Sequence, residues 1–545
     1  MRPIVFSLFS VCLWAQAPRV GVGLTQTRLS LEDAVRQALQ NNLEIEIERT
    51  NQETARRAIL GARAYLDPLL RLQPLAEKRN TPTGNVLAAP DGKLVENFFN
   101  TTLSYRQRLN WQAMSFHADF DAVRQSTNNP FVALNPFVTP RLVFGVTLPL
   151  WRDRKTDRER TELLVRRKQA DLSDIEFELR VIDVVARVEQ AYYDLVAARE
   201  DLGVYAESVN LGREQLERTR RLIEAGSLAP VELAAAEAEL ERRKDSYYSA
   251  LTQLNVAENN LKLLLAGGRQ ESLWKDELVP TTTSRAELPP EAKADLGTLI
   301  SQALARRVEL RAISVRKQVN DAQRDLALNL RKPAVQLTAN YTNSGLAGTA
   351  LATQNPFSAF NLLLVERLNE LSKSAGLAPL AGGNFGGRVP ADLVGGYGQS
   401  LANLFSGRFQ TVQAGLSFDL NFRNSAAESA LAQAAVAERR IDLERKRTEQ
   451  AIEAQLRNAL QAVETSQQRI LAAEASARAA KEKLDSEVRL FQTGESTNFF
   501  VLTRQNEFAD SRRRVVLATL EFNKSVARLA FALGLTLQTH QIRLQ

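Results

Sequence analysis

Few residue types in this chain could carry covalent or metal chemistry. Its 545 residues include two histidines, His117 and His540, in unrelated contexts, and one cysteine, Cys12. Zinc binding or thiol catalysis needs several such groups brought together. No Gly-rich loop follows a strand and opens a helix, so no phosphate-binding turn is written here. Acidic residues are abundant, but they lie on stretches of helical composition, where a solvated face is their ordinary use. The reading is of a non-enzyme with no catalytic residue, cofactor or metal. What stands out instead is a pair of glycine turns. "RLIEAGSLAPVEL" spans Arg221 to Leu233, and "RLFQTGESTNFFV" spans Arg489 to Val501. Arg221 matches Arg489, Leu222 matches Leu490, and Gly226 matches Gly494. Glycine tolerates φ > 0 and so suits a tight reversal of the chain. Ala225, Ser227, Thr493 and Glu495 flank the two glycines. Just beyond lie Glu232, Asn498, Phe499, Phe500 and Thr503.

Each glycine sits between long stretches that read as helix. Asn424 to Thr493 contains neither Gly nor Pro, and Lys155 to Ala225 has no Pro and only Gly203 and Gly212. At 1.5 Å per residue, each would extend roughly 100 Å. Leu172, Ile175, Leu179 and Ile182 follow three/four spacing, and the series then skips to Val185, Val188, Tyr192 and Leu195. A broken heptad of this kind suits helices packed side by side. Returning helices are predicted from about Val231 to Ala266 and from about Phe499 to Leu533, which makes two antiparallel hairpins. The copying extends further. "LEDAVRQALQNNLEI" (Leu31 to Ile45) pairs with "LGTLISQALARRVEL" (Leu296 to Leu310), and Pro68 pairs with Pro333, each ending a helical tract.

After each proline the apolar period changes from about 3.6 to 2. "RLVFGVTLPLW" puts Leu142, Phe144, Val146, Leu148 and Leu150 on one face. "FQTVQAGLSFDLNF" puts Val412, Ala414, Leu416, Phe418, Leu420 and Phe422 opposite Thr411, Gln413, Ser417, Asp419 and Asn421. "MSFHADFDA", "AVQLTANYTN", "TLSYRQRLNW" and the start of "LLRLQPLAEK" alternate too. Such alternation suits a barrel strand between lipid and water, or a soluble sandwich with one dry face.

The chain is 44% hydrophobic and 24% charged, with Lys+Arg 70 against Asp+Glu 63 and a pI near 9.4. The two signs interleave, as in "ERRKDSYY" and "ERKRTEQAIEAQ", which reads as a solvated helix surface rather than a nucleic-acid face. Arg152, Arg154, Lys155, Arg158 and Arg160 follow a strand-like segment and suit a headgroup level. Arg2, the apolar "IVFSLFSVCLW" and Ala15-Gln16-Ala17 read as an export signal, whose removal would take Cys12 with it. No later run is apolar for 18 residues, so a membrane crossing would have to be a closed β-barrel.

"LSLEDAVRQALQNNLEI", "TLPLWRD" entering the first long helix, "EQAYYDLVAAREDL" and the duplicated glycine turns together resemble the TolC-like outer membrane efflux protein family, over nearly all of the chain beyond the signal. The resemblance implies an α+β membrane protein. Three chains would share an outer-membrane β-barrel, continuous with a long periplasmic α-helical barrel, with two structural repeats per chain. It implies four strands per protomer, and the alternating pair near 101 to 123 leaves six open. The expected organisation is a signal peptide at 1–17 and a first repeat at 29–267, with strands at about 69–151 and a hairpin tip at Gly226. A periplasmic linker at 268–295 follows. The second repeat is 296–534, with strands at about 334–422 and a tip at Gly494, and 535–545 is a C-terminal tail. Segments 77–140 and 346–406 read as insertions at the extracellular end.

The implied function is the exit duct of a tripartite efflux or type I secretion system. Its implied partners are a periplasmic adaptor, an inner-membrane transporter, outer-membrane lipid and two further copies of itself, with no nucleic acid. The turns Ala225, Gly226, Ser227 and Thr493, Gly494, Glu495 would be adaptor-docking tips. Glu232, Asn498, Phe499, Phe500 and Thr503 would form the periplasmic gate. Phe500 and Thr503 stand where many members carry acids, Ser496 where they often carry Arg, and Glu232 keeps the acidic character of the first turn. "NFF" reads either as packing between hairpins or as a hydrophobic constriction. The alternative for the whole chain is a soluble periplasmic coiled-coil adaptor or structural protein.

Overall fold

The computed structural model describes residues 19, 22–23, 25–85, 88–89, 91–282, 285–288, 290–351, 356–380 and 389–543. The expected signal peptide, with Cys12, lies outside them. In chain order the elements are β1 (Gln26–Leu29), α1 (Leu31–Asn41), α2 (Leu43–Arg63), β2 (Leu69–Pro82), β3 (Lys93–Arg108), β4 (Ser115–Thr127), β5 (Leu134–Pro149), α3 (Arg158–Glu224) and α4 (Val231–Leu265). Then come α5 (Glu271–Lys275), β6 (Glu277–Pro280), α6 (Leu296–Arg306), α7 (Val308–Leu330), β7 (Ala334–Ser344), β8 (Ala347–Ala350), α8 (Pro356–Ser374), α9 (Tyr397–Phe405), β9 (Gln410–Asp419), α10 (Ser425–Thr493), α11 (Asn498–Ala532) and α12 (Thr536–Thr539). They fall into two compact units. One comprises residues up to 56, 168–318 and 438 onward, and the other comprises 57–167 and 319–437.

The first unit is helical and built twice. Ser30 caps α1 by accepting from the Asp33 amide at 3.1 Å, and Asp295 caps α6 by accepting from the Gly297 amide at 3.0 Å. A single helix is predicted up to each proline, but each copy breaks after about three turns. Asn42 (φ −63°, ψ 124°) and Arg307 (φ −64°, ψ 123°) hold almost the same extended conformation at the two breaks. The reason is local at Asn42, whose side-chain oxygen accepts from the Glu44 amide at 2.9 Å and so starts a new helix. Around the first hairpin, Ala34, Val35 and Ala38 pack with Val181, Val188, Tyr192, Leu195, Leu254 and Leu261. Around the second, Leu299 and Ala303 pack with Ile452, Leu456, Ile470, Phe522 and Leu529. The fully buried Tyr192 satisfies its hydroxyl, donating to the Leu29 carbonyl and accepting from the Thr282 amide, both at 3.0 Å. The stretch 268–295, expected as a linker, carries α5 and β6, and β6 pairs in parallel with β1.

The second unit is an antiparallel sheet in the order β2-β3-β4-β5-β7-β9, with the short β8 also on β5. The long helices start beside it. Asp157 accepts from the Arg160 amide at 2.7 Å as α3 begins, and Asn424 accepts from the Ala427 amide at 3.2 Å as α10 begins. Six strands are ten residues or longer, where the resemblance implies four. Residues 77–140 are therefore not an end insertion. They complete β2, form β3 and β4, and open β5. Alternation decides this, because β3 and β4 offer an apolar and a polar face in step with their neighbours. Much of 346–406 is helical, in α8 and α9, and residues 352–355 and 381–388 lie outside the described set. No described helix is long and apolar enough to cross a membrane.

Candidate functional site

Both hairpin turns close with the same hydrogen bonds. The Ser227 amide donates to the Leu222 carbonyl at 2.8 Å and the Gly226 amide to Ile223 at 2.9 Å. In the second turn the Glu495 amide donates to Leu490 at 2.9 Å and the Gly494 amide to Phe491 at 3.2 Å. This pair of bonds is the Schellman ending, which needs a left-handed residue one step past the helix. Gly226 and Gly494 supply it at φ +73° and +83°. A Cβ added at either would meet nothing within 4 Å, so the backbone angle, not crowding, requires glycine. Ala225, Gly226, Ser227, Thr493, Gly494 and Glu495 are all exposed.

The residues beyond the turns separate into two groups. Asn498 is 2% exposed and ties the hairpins together. Its amide donates to the Glu232 carboxylate at 3.5 Å, and its oxygen accepts from Gln215 on α3. The neighbouring rings do not share that burial. Phe499 is 68% and Phe500 47% exposed, edge to face with centroids 5.7 Å apart. The Thr503 hydroxyl donates to the Phe499 carbonyl at 2.8 Å and so serves its own helix. Ser496 donates to Glu487. Thus Glu232 and Asn498 come together, while Phe499 and Phe500 are exposed on α11.

Sequence reasoning missed the polar tie above the tips. Arg243 on α4 is 3% exposed. It donates to the Ser208 carbonyl at 2.9 Å, and to Gln505 and Asn506 on α11, both at 3.1 Å. Glu239 accepts from Arg243 at 2.9 Å, from Asn506 at 2.9 Å and from Arg242 at 2.6 Å. Gly212 lets α4 approach, since a Cβ there would lie 3.2 Å from Arg243 Cδ. Further along, Arg513 pairs with Asp201 at 3.0 Å and Lys524 with Asp194 at 2.5 Å, again joining α11 to α3. A lone Arg in "ERRKDSYY" reads as surface charge; the available signal was the glycine one helix away.

Burial pushes the Glu239 carboxyl up, but hydrogen bonds from Arg242, Arg243 and Asn506 outweigh it and hold it down at about 2. A carboxyl held below its ordinary value stabilises the fold above that value and loses the contribution as pH falls through the folded one. The stability advantage of the native protein over Glu239→Gln is therefore expected to shrink as pH drops from about 4.5 to about 2. Helical circular dichroism during heating at each pH measures it. An advantage that stays constant across that window would contradict the assignment.

In the sheet, residues directly opposite share a face. Leu72, Leu103, Phe120 and Leu142 lie in one such row, and Leu70, Tyr105, Ala118, Phe144, Tyr341 and Val412 in the next. Many are exposed, among them Leu70 at 66%, Leu72 at 65% and Val412 at 75%. The opposite face is polar. There Asp121 accepts from Thr102 at 2.8 Å and from Arg141 at 2.9 Å, linking β3, β4 and β5.

Residues 144–267 match the family model described as outer membrane efflux protein. No curated protein matches the chain. Several solved structures share its fold. A structure of CusC, described in terms of transmembrane channel formation, is 14% identical, with 92% of each chain covered and a TM-score of 0.63. The Campylobacter jejuni CmeC outer membrane channel is 16% identical, with 92% of this chain and 85% of that one covered and a TM-score of 0.62. The outer membrane protein VceC from Vibrio cholerae is 14% identical, with 92% and 96% covered and a TM-score of 0.60. The family-model match is confined to 144–267, and the likeness to these outer-membrane channels over nearly the whole chain is one of fold. A soluble periplasmic coiled-coil protein is not favoured, having no use for a sheet with an exposed apolar face.

Proposed function

We propose that three copies of this chain form a duct in the outer membrane, with the sheets closing a β-barrel and the hairpins lining the periplasmic passage. Solutes would reach it from an inner-membrane transporter through a periplasmic adaptor. The turns at Gly226 and Gly494 meet the adaptor, and Phe499 and Phe500 narrow the entrance, with Asn498, Glu232 and Thr503 on the same short stretch. One observation carries this reading: a single chain joins two long hairpins to an antiparallel sheet that is apolar on one face and polar on the other. In lipid such a sheet needs a closed ring, because open edges leave backbone groups unsatisfied. Six strands are too few to close around a passage, since the smallest barrels of this kind use eight.

Deleting the gene and measuring accumulation of candidate solutes tests the duct. Accumulation that rises on deletion and falls on complementation is expected. Light scattering of the detergent-solubilised protein is expected to return the mass of three chains, and a monomer would remove the basis for a shared barrel.

A further inference from the structure

We propose that each chain contributes six strands to the barrel wall, so that three copies close a ring of eighteen through β2 of one copy and β9 of the next. This rests on the trimeric duct above and concerns how its wall is made. The added pair is β3 and β4. They are not a flap beside a four-stranded sheet, since both run its full height. Leu69 pairs with Arg106 at one end and Pro82 with Lys93 at the other. Arg108 pairs with Ser115 and Glu96 with Thr127. Ser115 then pairs with Thr147 and Gln125 with Phe137 on β5.

The faces continue as well. Thr101, Leu103 and Tyr105 of β3 and Phe116, Ala118 and Phe120 of β4 extend the apolar side. Thr102, Ser104, Asp119 and Asp121 extend the polar side. A hairpin standing in water on both faces would have no need of this division. Its presence puts lipid on one side and the aqueous passage on the other.

The edges complete the case. Among the described residues β2 pairs only with β3, and β9 only with β7. All neighbouring long strands are antiparallel, so β2 and β9 run in opposite directions across the sheet. A second copy in the same membrane orientation can therefore set its β2 antiparallel to β9 and continue the alternation. Pairing β9 with another β9 would turn that copy upside down. Because hairpins add strands in twos, β5 and β9 still deliver the chain to the same end of the sheet, into α3 and α10. Barrel diameter grows roughly linearly with strand number, so this wall would be about half again as wide as a twelve-stranded one.

Single cysteines at Leu103, Phe120, Phe144 and Leu416, with Cys12 replaced by serine, can each carry a thiol-linked fluorophore. The full-length trimers are then placed in vesicles of brominated phospholipid. Quenching at Leu103→Cys and Phe120→Cys equal to that at Phe144→Cys and Leu416→Cys is expected, with Asp121→Cys unquenched. If Phe144 and Leu416 are quenched while Leu103 and Phe120 are not, β3 and β4 lie outside the wall and the six-strand inference fails alone. If none of the four is quenched, the outer-membrane reading fails with it. Electron cryomicroscopy of the same trimers counts the strands directly, and twelve would overturn the proposal.

Discussion

Replacing Gly226 and Gly494 together by valine is expected to abolish efflux while leaving trimers assembled in the outer membrane. Both positions hold φ in the left-handed region, at +73° and +83°. An L-residue there costs roughly 1–2 kcal/mol, and a β-branched one is worse placed than alanine. No neighbouring atom lies within 4 Å of either Cβ position, so the penalty is conformational and stays at the turn. The chain can relieve it only by opening the Schellman bonds from Ser227 to Leu222 and from Glu495 to Leu490. That frays the last turns of α3 and α10 and changes the shape of the tips. Neither turn belongs to the apolar cores around Tyr192 or Phe522, so folding and insertion should survive. Alanine at both sites should give an intermediate loss. Solute accumulation measures the effect, and light scattering confirms the trimer. Full efflux by the double valine variant would sink the assignment of these turns to adaptor docking.

Phe500→Ala is expected to raise single-channel conductance in planar bilayers. The two phenyl rings are exposed in a single chain, and the space between its hairpins is filled instead by Asn498 with Gln215 and Glu232. In a trimer three copies of each ring would crowd one entrance. Phenyl groups around a narrow opening resist water and ions by dewetting rather than by charge. Removing one ring per chain widens and wets the opening together, and closure should depend little on divalent cations. Glu232→Gln should act differently. Its carboxylate is partly engaged by Asn498, so the change should alter cation preference modestly and leave the size of the opening alone. Unchanged conductance in Phe500→Ala, with that ring found packed between helices of adjacent copies, would return "NFF" to a packing role.

Arg243 shows how local reading and long-range contact diverge. In the sequence it is one charge among many in an interleaved run, and i,i+4 pairing accounts for it. In the fold it is buried and reaches two other helices, α3 and α11, which isolated spacing cannot disclose because Ser208 and Gln505 lie far along the chain. Asn498 is similar. Its neighbours Phe499 and Phe500 draw attention by type, yet the asparagine makes the contacts between hairpins.

What the sequence determined by itself is whatever repeats at short range. Gly- and Pro-free tracts with three/four apolar spacing set the long helices, because backbone bonding and side-chain period act within a few residues. The duplicated turns followed from glycine at a left-handed position, and the strands from alternation. Tertiary structure decided which of these elements join. Alternation says that a strand has two faces but not which neighbour it meets. Only the register from Leu69 through Arg106, His117 and Gly145 brings β3 and β4 into one sheet with β5. The pairing of β6 with β1 and the polar tie at Arg243 were likewise settled by partners distant in the chain. Their contacts depend on how whole elements pack, and no local period encodes that.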